Sequence, residues 1–117
     1  MGGFSGGLSQ NTNQGGIVDL DKKTKPTKEL LAYATTGDVC RMIRTYRDTS
    51  YQDVLLKLLF DLSLEVWTKN DLLPDYILEA LNSEEEQKLR KMYRKDPDNK
   101  QNPLITLILG GWKRKDP

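Results

Sequence analysis

The stretch Tyr51-Gln52-Asp53-Val54-Leu55-Leu56-Lys57-Leu58-Leu59-Phe60-Asp61-Leu62-Ser63-Leu64-Glu65-Val66-Trp67-Thr68-Lys69 decides the fold. On a helical wheel, Leu55, Leu56, Leu58, Leu59, Phe60, Leu62, Val66 and Trp67 sweep about 200°, interrupted only by Gln52 and Ser63. A helix lying on a protein surface needs roughly half that arc. Asp53, Lys57, Asp61 and Glu65 form a narrower polar stripe at i, i+4 spacing. The spacing predicts one continuous helix over 51–69, opened by Ser50. Its girth must be wrapped by neighbouring helices or by another molecule.

Helical punctuation surrounds that stretch. Upstream, Thr27 is placed to cap a helix over 28–36 closed by Gly37, and Asp38 to cap a second over 39–47. In the second, Val39, Met42, Ile43 and Tyr46 recur at i, i+3, i+4, i+7. Downstream, Pro74 suits the first turn of a helix through Leu81. Ser83 with Glu86 reads as a capping box for another that runs to Lys95 and stops before Pro97. Asn102-Pro103 opens a last short element ending at Gly110-Gly111. Its β-branched content over 104–109 also fits a strand, but no second strand candidate lies near to pair with it. The expected fold class is all-α: a small irregular bundle of five or six short helices around a central one.

Residues 1–16 carry six glycines and no charge, a composition that cannot offset its own ordering entropy by burial. A disordered arm and linker is expected over 1–24, with a helical domain over 25–117. Phe4 and Leu8 are the only anchors that 1–16 offers, and Ile17-Val18-Asp19-Leu20 is a short apolar patch able to dock. A myristoylation signal fails on register, because Gly6 stands where serine or threonine is needed. The folded part is roughly 90 residues, small enough that its stability is expected to be marginal or partner-dependent.

Absences narrow the function most. The 117 residues contain no histidine, which removes the commonest general base, the commonest transition-metal ligand and any Ser-His or Cys-His pair. One cysteine, Cys40, permits neither an internal disulfide nor a thiolate zinc site. It sits near a helix start, but without a base it reads as a structural thiol. Glu84, Glu85 and Glu86 read as first-turn charges that complement a helix dipole. Asp96-Pro97-Asp98 lacks the glycine and glutamate that close a calcium loop. No phosphate-binding or dinucleotide motif is present. The apolar runs are too short to span a bilayer, and no basic region precedes an apolar one at the N-terminus. The expectation is therefore a non-enzyme with no cofactor, metal, small-molecule substrate or membrane association. An intracellular, cytoplasmic setting is the default.

Charge is segregated although the net is +1. Residues 1–21 carry −2, 22–47 carry +5, 48–86 carry −8 and 87–117 carry +6. Intramolecular packing of basic against acidic helices accounts for this most simply, and complementary patches also permit head-to-tail assembly. The function expected is a non-catalytic protein-interaction or assembly module, by analogy a subunit or accessory protein of a viral, phage-like or other multi-protein complex. The partner is another protein or copies of the same chain. The residues expected to contact it are Ile17, Val18, Leu20, Leu104, Ile105, Leu107, Ile108 and Trp112, the last because tryptophan is enriched at binding hot spots. The alternative is RNA or DNA binding through Arg41, Arg44, Arg47, Lys113, Arg114 and Lys115, where a basic row and a basic tail lie beside aromatic residues.

Overall fold

A computed structural model describes residues 23–114. Among them are seven helices and no strand: α1 (Lys28–Ala32), α2 (Thr36–Tyr46), α3 (Gln52–Phe60), α4 (Leu64–Lys69), α5 (Pro74–Ala80), α6 (Ser83–Lys95) and α7 (Pro103–Leu109). The all-α expectation holds, and residues 104–109 are helix rather than strand. Helix α2 packs on α3 and α5, α3 packs on α6, and α7 packs on α5 and α6.

The decisive stretch is helical but not continuous. Its helix ends at Phe60 and a new one begins at Leu64, which corrects the single helix expected over 51–69. Two side chains from the far loop cause the break. The amide of Asn102, 2 % exposed, donates to the carbonyls of Leu59 at 2.8 Å and Phe60 at 2.9 Å. Asn99 donates to the Phe60 carbonyl at 2.7 Å. Those carbonyls are among the ones a helix end leaves without a partner. Ser63 then starts α4 by accepting from the amide of Val66. The apolar girth is nevertheless covered: Leu55, Leu56, Leu59, Phe60, Leu62 and Trp67 are all buried.

Other boundaries shift for similar reasons. The first helix stops at Ala32, and Gly37 lies inside α2. Thr35 and Asp38 form a capping box, with reciprocal 3.0 Å bonds between each side chain and the other's amide. Asp38 is thus the third residue of α2, not its cap. Before α6 the box is Asn82 with Glu85, one residue earlier than the Ser83–Glu86 reading. Tyr51 precedes α3 without a side-chain cap, so Ser50 does not open it. At the end of α7, Gly111 takes φ +92°. The amide of Trp112 then donates to the Leu107 carbonyl at 3.0 Å and that of Gly111 to Ile108 at 3.3 Å, a Schellman turn that sends the chain back over the bundle.

The start of α3 is held by charge. The Glu85 carboxylate, 1 % exposed, accepts from Arg47 Nε at 2.9 Å and a terminal Arg47 nitrogen at 2.7 Å. It also accepts from Gln52 at 2.6 Å and the Asn82 amide at 2.8 Å. Arg47 donates further to the Ala80 carbonyl at 2.8 Å. Burial pushes the Glu85 pKa up, but the bonds from Arg47, the Asn82 amide and Gln52 outweigh it and hold the group below its ordinary value.

Candidate functional site

Of the residues expected to meet a protein partner, Leu104, Ile105 and Ile108 are buried in the chain's own core. Leu107 and Trp112 are half-buried against it. The apolar side chains of 104–112, Leu109 excepted, are therefore wholly or partly covered in cis. Asn102 caps α7 through bonds from the amides of Leu104 and Ile105, which presses the apolar face of this helix inward, and the Schellman turn folds Trp112 over. Ile17, Val18 and Leu20 lie outside the described residues.

Three of the six basic residues are engaged within the chain. Arg47 is bound to Glu85, and Arg41 pairs with Asp38 at 3.2 Å. The Arg114 guanidinium lies 5.6 Å from the Trp112 ring and bonds to Glu86 at 3.0 Å and to the carbonyls of Leu78 and Leu81. Arg44 and Lys113 are exposed, and Lys115 lies outside the described residues. Arg41 and Arg44 of α2 and Arg47 just after it thus do not present one free row.

Cys40 is half-buried, and its thiol faces the Tyr76 carbonyl at 3.7 Å. Burial pushes its pKa up, against a smaller lowering by Arg44, which disfavours the thiolate. The three glutamates divide: Glu85 is the buried partner of Arg47, Glu86 holds Arg90 and Arg114, and Glu84 is exposed. Among the described residues no cluster of metal-ligating side chains occurs, and no helix is long and apolar enough to cross a membrane.

The concavity with the most definite chemistry lies between α6 and α7. A cleft of about 210 Å³ is lined by Arg90, Tyr93, Arg94, Ile105, Ile108 and Leu109. Its walls are apolar, and Leu109 is 54 % exposed. Arg90 is held by Glu86 at 3.0 Å, whereas exposed Arg94 makes no ion pair among the described residues. The register of the two helices builds this cleft. Arg90, Tyr93 and Arg94 share one face of α6 at i, i+3, i+4 spacing, and Ile105, Ile108 and Leu109 repeat the spacing on α7. Small-molecule sites usually run to about 300–1,000 Å³, so this volume is the size of one or two side chains.

Sequence reasoning had picked Ile105 and Ile108, which do line this cleft, but missed Leu109, Tyr93, Arg90 and Arg94. The signal lay in the matching i, i+3, i+4 sets on the two helices. It could be used only once the pairing of α6 with α7 was known.

No family model, curated protein or solved structure matches the chain.

Proposed function

We propose that this chain is a non-catalytic protein-interaction module, acting as a subunit or accessory protein of a larger assembly, and that it contacts its partner at the α6–α7 cleft. The observation that carries this reading is an apolar, partly enclosed cleft with an exposed leucine and two arginines among its lining residues. Such a site selects a segment that places an aliphatic side chain beside a carboxylate, the leucine supplying contact area and the arginines direction. The lack of histidine and the raised pKa of Cys40 support a role without covalent or acid–base chemistry. Nucleic-acid binding is the competing reading, and the engagement of Arg47 and Arg114 within the chain weighs against it.

The test is photo-crosslinking of the full chain in its native extract from a benzophenone amino acid at position 109, with position 98 as the exposed control. A discrete nuclease-resistant protein adduct at 109, absent at 98 and lost on Arg94→Ser, is expected. Adducts that vanish with nuclease, or equal labelling from both positions, would overturn the reading.

A further inference from the structure

A second apolar surface lies on the other side of α7's first turn. Leu64 of α4 and Leu73 of the α4–α5 turn are 50 % and 46 % exposed, and both line a groove with Trp67, Leu72, Pro74 and Pro103. Trp67 is 3 % exposed, and its indole N–H has no acceptor among the described residues, an uncommon condition for a buried tryptophan. The charges around this groove are opposite to those around the cleft. Asp71 lies in its lining, Glu65 beside Leu64, and Asp75 one residue after Pro74. All three are exposed and make no ion pair among the described residues, against one nearby ammonium, that of Lys69. The cleft has Arg94, exposed and in no ion pair among the described residues, beside Arg90, which Glu86 holds.

The groove and the cleft share no residue, each exposes leucine, and their charges are complementary. From this we infer that the occupant of each is a second copy of this chain, the acidic groove of one protomer seating on the arginine-lined cleft of the next. Two grooves meeting face to face would oppose carboxylates, and two clefts would oppose guanidiniums, so a two-fold isologous contact is disfavoured. The contact is heterologous, and each pair leaves one groove and one cleft unsatisfied. Growth continues until the rotation closes a ring or the chains form a filament. This inference rests on the interaction-module reading and names the partner.

The test uses three full-length proteins in light scattering at tens of micromolar: the natural chain, Leu64→Ser/Leu73→Ser, and Arg94→Ser/Leu109→Ser. All four positions are exposed, and retention of the fold is checked by circular dichroism. The natural chain is expected to give species above dimer that shrink as salt rises. Each variant alone should be monomeric, and an equimolar mixture should give a 1:1 dimer and nothing larger, since only one intact groove meets one intact cleft. A natural chain that stays monomeric overturns the inference, whether its own Ile17–Asp21 or a different protein fills the cleft. In that event a protein adduct at position 109 still upholds the module reading. A variant that reaches full size alone, or a mixture that stays monomeric, overturns the inference as well.

Discussion

The two ends of α3 are held by buried polar side chains from remote parts of the chain, but the chemistry differs. At the start, Glu85 receives the Arg47 guanidinium and the Gln52 amide. At the end, two neutral asparagines cap the last carbonyls. Both arrangements fix where α3 lies, yet only the first joins the fold to proton concentration. A buried ion pair costs desolvation that its own attraction must recover, whereas an amide donating to carbonyls exchanges neutral bonds with water for neutral bonds in the protein. The contrast shows that equal burial does not mean equal response to conditions.

The sharpest way to break this comparison is at the charged end. Arg47→Ala leaves Glu85 buried without its cation and is expected to cost about 3–5 kcal/mol in urea unfolding. Arg47→Leu/Glu85→Leu, which removes both charges, should recover at least half of that loss. A single substitution costing less than about 1 kcal/mol would mean that Glu85 finds water or another cation. Next in size is Asn102→Ala, expected to cost about 2–3 kcal/mol through the lost cap of α7 and the lost amide bonds to the Leu59 and Phe60 carbonyls, which keep the Leu62 amide and Asn99 as their other donors.

Acid separates the two ends. The native pKa of Glu85 is depressed, so its contribution is complete above the ordinary carboxylate value of about 4.3. That contribution is lost as pH falls through the lower native value. Urea midpoints measured from neutral to acid pH should fall alike for the natural chain and Asn102→Ala, and less steeply for the double leucine variant. The smallest effect sets the scale away from both ends. Gly111→Ala puts a side chain at φ +92° with no steric contact within 4 Å. It should cost about 1 kcal/mol and loosen Trp112, read as a shift in its fluorescence.

Local signals in the sequence were legible wherever neighbours decide structure. The periodicity of Val39, Met42, Ile43 and Tyr46 on α2, Pro74 at the head of α5, and the Asn102-Pro103 start of α7 were all readable, and each of the seven helices overlaps a segment read as helical, although Gly37 and Asp38, read as a boundary, lie inside α2. The break after Phe60 was not readable, because the side chains that cause it are 39 to 43 residues away. Ser63 marked the new start but looked like one polar interruption in an apolar arc. The acidic trio at 84–86 was recognised as a first turn, while the choice of Glu85 for burial depended on where Arg47 would lie. The cleft was half visible for the same reason: each wall shows a periodicity, and nothing local says that the two walls meet.

Asn102 has a consequence for biosynthesis. It completes α3, starts α7 and precedes three core side chains, Leu104, Ile105 and Ile108. A growing polypeptide that has emerged only as far as α6 holds a leucine-rich α3 with uncapped carbonyls and a hole where α7 will lie. Such a nascent chain exposes greasy surface, so cooperative closure waits until α7 has cleared the ribosome, and chaperone contact should be densest just before that moment.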